Sequence, residues 1–106
     1  MTRKAFVIHA KEGKIEEYIR NHNPVWPELK EVLKAHSVTN YSIFFREHSQ
    51  QLFGYMEVLD EKTFQKLADN EVCRRWWLFM TSFLECESEP TDKAREEMLT
   101  EIFHLK

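Results

Sequence analysis

Val38-Thr39-Asn40-Tyr41-Ser42-Ile43-Phe44-Phe45-Arg46, then the polar His48-Ser49-Gln50-Gln51, then Leu52-Phe53-Gly54-Tyr55-Met56-Glu57-Val58: this stretch decides the fold. Its first part is β-branched and aromatic, with Tyr41, Ile43 and Phe45 on one face and Ser42, Phe44 and Arg46 on the other, the two-residue period of a strand. Leu52 to Val58 alternates again. The quartet between them lacks an Asn-Gly pair but is short and polar, so a hairpin is the economical connection. An antiparallel pair at the centre of the chain leaves the flanks to supply further strands and the layer that covers the sheet.

Upstream, Arg3 to His9 sets Ala5, Val7 and His9 against Phe6 and Ile8, which reads as a strand. From Glu12 the period lengthens. Ile15, Tyr18, Ile19 and His22 fall at i, i+3, i+4 and i+7, with Lys14, Glu16, Glu17 and Arg20 on the opposite face of an amphipathic helix. The run from Tyr18 to Pro27 then interrupts that helix with two prolines. A residue before proline leaves the helical region, so Asn23 is expected to end one segment and cap the next, with Pro24 at its first position. The second segment turns Trp26, Leu29, Val32 and Leu33 inward and stops near His36.

Downstream, Asp60 reads as the N-cap of a helix that faces Phe64, Leu67 and Ala68 inward, with Asn70 as a weak stop. Glu71 to Leu84 restarts it, carrying Val72, Trp76, Phe79, Met80 and Phe83 on one stripe and Cys73, Trp77 and Leu84 on an adjoining one. Glu85 to Asp92 is acidic, contains a proline and reads as a loop. Leu99 to Leu105 alternates once more and is expected to be the last strand. Strand, broken helix, two strands, broken helix, strand is the split βαβ order of a ferredoxin-like α+β fold, one domain over 1–106, with helices on one face of a four-stranded antiparallel sheet. The other face would be left bare unless a second subunit covers it, so a homodimer is expected.

Composition narrows the function. The 106 residues are 42% hydrophobic and 13% aromatic, with 15 Lys and Arg against 18 Asp and Glu and a net charge of −3. No basic stripe offers a footprint for nucleic acid or a membrane surface. No segment has the length of a spanning helix or the pattern of a secretory signal, so a cytoplasmic location is expected. Cys73 and Cys86 fit neither a disulfide framework nor a zinc site and are read as reduced thiols. The two glycines form no phosphate loop, the histidines no His-x-His or His-Glu-x-x-His pattern, and no Ser or Cys sits in an activating motif. No cofactor and no metal are expected.

Among the histidines, His36 and His48 are read as solvated, and His9 and His104 as strand-end residues. His22 shares a helical face with Tyr18, one turn away, and both can reach one small ligand. Spacing alone leaves open whether His22 is a satisfied core group or a proton carrier. Tyr18 and Tyr41 are rings whose hydroxyls could bond a ligand. Trp76 and Trp77, adjacent on a helix, cannot share a face, so one is expected to pack in the core while the other lines an opening flanked by Arg74 and Arg75. Aromatic walls with a few placed polar groups suit a sugar.

Arg3-Lys-Ala-Phe-Val7, the run Tyr18-x-x-x-His22-Asn-Pro-Val-Trp-Pro-Glu-Leu29, Asn40-Tyr-Ser-Ile43, Val72-Cys-Arg-Arg-Trp-Trp77 and Phe103-His-Leu105 together resemble the L-rhamnose mutarotase family, over nearly the whole chain and least within Glu85 to Glu97. The resemblance implies a dimeric α+β barrel in the cytoplasm, an isomerase that interconverts the α and β anomers of L-rhamnose without metal or organic cofactor. It implies that His22 is the proton donor and that Tyr18, Tyr41, Trp76 and Trp77 bind the sugar. Rival readings on the same fold are a small-ligand or haem-binding module and a cofactorless oxygenase.

Overall fold

A computed structural model describes residues 1–87 and 93–106. Its elements are β1 (Thr2–His9), α1 (Ile15–Asn21), α2 (Pro27–Ala35), β2 (Val38–Arg46), β3 (Gln51–Val58), α3 (Glu61–Gln65), a 3₁₀ turn (Lys66–Asp69), α4 (Glu71–Met80) and β4 (Glu97–Leu99). The sheet is antiparallel throughout and runs β2-β3-β1-β4, the split βαβ arrangement expected of the sequence. No helix among the described residues is long and apolar enough to cross a membrane.

One row of side chains crosses the sheet beneath the helices: Ile43 pairs with Gly54, Gly54 with Phe6, and Phe6 with Met98. Phe6, Ile8 and Leu52 from this face meet Tyr18 of α1, Leu29 of α2 and Cys73, Trp76 and Met80 of α4 in a single buried cluster. The opposite face carries Phe44, which pairs with Phe53 and is 67% exposed, and the exposed Leu99. The two faces therefore differ in cover, not in apolar content.

The hairpin has the bounds read from its alternation except that its second strand starts one residue earlier, at Gln51, and it carries one irregularity that alternation does not reveal. Thr39 pairs with Glu57 and Ser42 with Tyr55, so Asn40 and Tyr41 together oppose Met56 in a β-bulge. Asn40 takes φ of 48°, a left-handed conformation that asparagine tolerates, and its Nδ2 donates to Glu57 Oε1 at 2.7 Å. The extra residue puts Val38 on the helix side together with Tyr41, Ile43 and Phe45.

Three further boundaries differ from the sequence reading. The second helix starts at Pro27, not Pro24: Trp26, with φ −53° and ψ 129°, is the extended residue before the helix, and Pro27 is its first residue. Pro24 instead follows Asn23 through a cis peptide bond in the turn between the helices. Asn70 is the expected stop and also a start: it closes the 3₁₀ turn, and its Oδ1 accepts from Cys73 N at 3.1 Å as the N-cap of α4, as Asp60 accepts from Lys62 N for α3. Helix α4 ends at Met80, and Leu84 forms a β-bridge with Ala10. Of the loop expected over Glu85 to Asp92, residues 88–92 lie outside the described ones.

The last strand is Glu97–Leu99 rather than Leu99–Leu105. Leu99 faces Ala5, and in the same register Glu101 falls opposite Arg3, which bonds it through Nε at 2.6 Å. Strand β1 begins at Thr2, which in that register falls opposite Ile102, so from Phe103 onward the tail has no β1 residue opposite it. Ile102, Phe103 and Leu105 are exposed.

Candidate active site

The site begins at the C-terminus of α1, where side chains add to the backbone bonds of the last turn. Three consecutive side chains do so: Asn21 Nδ2 donates to Glu17 O at 2.8 Å, His22 Nδ1 to Tyr18 O at 2.8 Å, and Asn23 Nδ2 to Ile19 O at 2.9 Å. A carbonyl can only accept, so Nδ1 carries the hydrogen in that bond and fixes the orientation of the imidazole. Its ring lies 4.2 Å from that of Tyr18, tilted by 33°.

Helix α4 supplies the next wall. Trp76 is buried, with its ring 5.1 Å from His22 and 4.9 Å from Trp26, edge-on to both. Trp26 stacks on Phe79 at 5.7 Å, so the indole of Trp76 is locked between α1, α2 and its own helix. Trp77, turned by about 100° from its neighbour, is half-buried, with Lys93 Nζ 4.7 Å above its ring. From the sheet comes Tyr41, inward in the same frame as Ile43 and Phe45 and edge-on to Phe6 at 6.2 Å.

These residues enclose a cavity of about 80 Å³ lined by Tyr18, His22, Tyr41, Trp76 and Trp77 together with Phe6, Ile8, Met80, Leu84, Lys93, Ala94 and Glu96. All five residues singled out in the sequence thus meet, and both tryptophans reach the opening. A larger space of about 420 Å³ adjoins it, sharing Phe6, Tyr41, Trp76, Trp77, Lys93 and Glu96 and continuing over Leu33, Val38, Met56 and Phe64. His9, His36, His48 and His104 line neither. His36 shows what a capping histidine does elsewhere, its Nδ1 donating to Val32 O at 2.8 Å at the end of α2.

Sequence reading missed Phe6, Lys93 and Glu96. Phe6 reads as core, which it is; its second role comes from its place in the row beside Tyr41. Lys93 and Glu96 sit among charged residues with no periodicity, and no local signal sets them apart.

Enclosure governs the site's protonation. Burial pushes the Tyr18 phenol well above its ordinary range. Tyr41 is 38% exposed as a residue, but its hydroxyl end is enclosed, and burial raises it further, with smaller contributions from Tyr18, Glu96 and Cys73. Both stay protonated, as donors. Desolvation lowers His22 below its ordinary value, and its hydrogen bond to the Tyr18 carbonyl opposes this in part. His22 is therefore neutral near pH 7. Among the described residues no group of three or more His, Cys, Asp or Glu is placed to hold a metal ion.

A ferredoxin-like α+β domain with a histidine, two protonated phenols and two indoles around one cavity defines a small-molecule enzyme suited to proton transfer on a ring with apolar faces. A family model described as L-rhamnose mutarotase matches residues 3–105. L-Rhamnose mutarotases from Bacillus subtilis and Opitutus terrae are 42% and 45% identical to this chain over 105 residues, 99% of each protein. The crystal structure of an L-rhamnose mutarotase from Formosa agariphila superposes with a TM-score of 0.86 at 32% identity, over 100% of both chains. A dimeric ferredoxin-like protein from an uncultured marine organism, 13% identical over 97% of this chain and 96% of its own with a TM-score of 0.57, shares the fold. The chain belongs to the L-rhamnose mutarotase family, isomerases that interconvert anomers.

Proposed function

We propose that this chain opens and recloses the pyranose ring of L-rhamnose, with His22 as the residue that gives up a proton in the cycle and Tyr18, Tyr41, Trp76 and Trp77 as the sugar's binding surface. The observation that carries this reading is the convergence of those five side chains, from α1, β2 and α4, on one cavity. Ring opening removes a proton from the anomeric hydroxyl, adds one to the ring oxygen and breaks the bond between C1 and that oxygen. Rotation about C1–C2 presents the other aldehyde face, and the reverse transfers close the ring. Atoms balance without a covalent intermediate, and positioned proton transfer is worth about 10²–10⁴-fold.

The smaller cavity alone is tight for a pyranose; the adjoining space gives the ring room. Its Val38, Met56 and Phe64 offer an apolar wall for the methyl group of a 6-deoxy sugar. Methyl contact of this kind discriminates by about 1–3 kcal/mol, so the preference over fully hydroxylated hexoses is modest. We further infer a cytoplasmic homodimer in which the uncovered sheet faces of two protomers close as a dimeric α+β barrel. Exposed Phe44, Leu99 and the tail residues Ile102, Phe103 and Leu105 support that arrangement.

Saturation-transfer NMR on equilibrated L-rhamnose tests the activity. Exchange between anomers above the buffer rate is expected, falling about 10²–10⁴-fold in His22→Ala with the circular dichroism unchanged. A folded His22→Ala variant at the wild-type rate would remove His22 from the chemistry.

A further inference from the structure

Mutarotation needs a base at the anomeric hydroxyl and an acid at the ring oxygen, and the hydrogen bond that caps α1 bears on which group is which. His22 Nδ1 lies 2.8 Å from Tyr18 O and must donate to it. In the neutral imidazole the other nitrogen, Nε2, then holds a bare lone pair. The resting histidine has no hydrogen to give at Nε2; it can only take one there. Its obligatory first act is that of a base.

The acid must come from another wall. Tyr18 stacks against His22 on the same helix, 4.2 Å between rings, and so lies beside the base rather than across from it. Glu96 at the rim is a carboxylate, which when ionised accepts only. Tyr41 enters from β2, on the sheet side of the cavity, in the frame it shares with Ile43 and Phe45. The anomeric oxygen and the ring oxygen are both bonded to C1 and diverge from it, so groups on two facing walls can serve them together.

We propose that His22 opens the cycle as the base, taking the anomeric proton on Nε2, while the Tyr41 phenol facing it from β2 protonates the ring oxygen. This rests on the mutarotase reading above. In the opening half, the anomeric O–H bond gives its proton to Nε2 and its electron pair forms the carbonyl; the C1–O bond of the ring breaks with its pair on the ring oxygen, which takes the phenol's hydrogen. After rotation about C1–C2 the C5 hydroxyl returns its proton to the phenolate as it attacks C1, and Nε2 returns the other to the carbonyl oxygen. His22 is thus a proton donor in the closing half only. Burial moves the phenol upward, toward the sugar hydroxyl it must protonate.

The ionisable groups lining the cavity around His22, among the described residues, are Tyr18 from α1, Tyr41 from β2, and Lys93 and Glu96 from the segment before β4; α4 contributes indoles. Three measurements on the intact protein test the assignment. Nitrogen-15 NMR of the sugar-free protein near pH 7 is expected to show His22 protonated at Nδ1 and bare at Nε2. The buffer-corrected kcat/KM for anomer exchange is expected to be level around neutrality and to fall with acid through a midpoint below about 6.5. Tyr41→Phe is expected to lose about 10²-fold or more in kcat with little change in KM, while Tyr18→Phe, which keeps the enclosing ring, mainly raises KM. The opposite tautomer, activity that increases as His22 becomes protonated, or an unaltered kcat in Tyr41→Phe would each overturn the proposal while leaving the mutarotase reading standing; no anomer exchange at any pH would overturn both.

Discussion

Replacing Gly54 with alanine sets two effects of opposite sign against each other, and the structure decides between them. Gly54 lies inside β3 with nothing unusual in its backbone, so alanine there would ordinarily gain about 0.5–1 kcal/mol by reducing the freedom of the unfolded chain. A Cβ at this position, however, would lie 2.1 Å from Phe6 Cζ and 2.4 and 2.7 Å from its two Cε atoms, because the ring of Phe6 lies over the glycine across the strand pair. Restoring ordinary contact at about 3.6 Å requires the ring to shift by roughly 1.5 Å. Phe6 is 4% exposed and packed edge-on against Tyr41, so it cannot swing into solvent. Overpacking of this kind costs about 1–3 kcal/mol, and Gly54→Ala is expected to lower Tm by roughly 4–8 °C per kcal/mol lost. The displaced ring also presses on Tyr41, so anomer exchange is expected to fall beyond any loss of folded protein. Thermal circular dichroism and calorimetry read the first effect, saturation transfer the second. The double variant Phe6→Leu with Gly54→Ala should lose less than the sum of the two singles, since leucine vacates the space the new methyl needs. An unchanged or raised Tm in Gly54→Ala, or strict additivity in the double variant, would refute the reasoning.

Two further outcomes follow from local structure. Asn70→Ala removes the side-chain acceptor of Cys73 N at the start of α4 and is expected to cost about 1 kcal/mol in chemical denaturation with an unaltered m-value; no shift in midpoint would mean that the cap contributes nothing. Phe103→Asp alters a side chain that is 78% exposed in the protomer, so it is expected to leave circular dichroism intact while halving the mass measured by light scattering, and an unchanged dimer mass would exclude this tail from the interface.

What the sequence disclosed tracks how local each feature is. The hairpin from Val38 to Val58 was legible because alternation and a short polar turn are written into consecutive residues. The broken helix was legible too, but not which proline begins its second half: the rule for a residue before proline applies equally to Asn23 and Trp26, and only Trp26 leads into a helix. The last strand was misplaced for a non-local reason. Leu99 to Leu105 alternates as a strand should, yet pairing stops at Leu99 opposite Ala5, and where a ladder stops depends on its partner strand as well as on the tail's own residues. Among the site residues, Tyr18 and His22 share a face by helical spacing, whereas their meeting with Tyr41, Trp76 and Trp77 depends on three elements packing together. Lys93 and Glu96 had no signal at all, because a charged residue at a cavity rim looks like any other charged residue on the surface.

Asn40 is a frameshift in the two-letter code of strand β2. Before it, even-numbered Val38 faces the helices; after it, odd-numbered Tyr41, Ile43 and Phe45 do. The strand thus splices two reading frames at one residue, the first set by the end of α2 and the second by the hairpin. Removing Asn40 would restore a single frame in which Val38 and Tyr41, now two residues apart, still both point inward, with Tyr41 opposite Met56. The bulge therefore absorbs a one-residue change in strand length without turning the tyrosine out of the cavity and without disturbing the turn that joins β2 to β3.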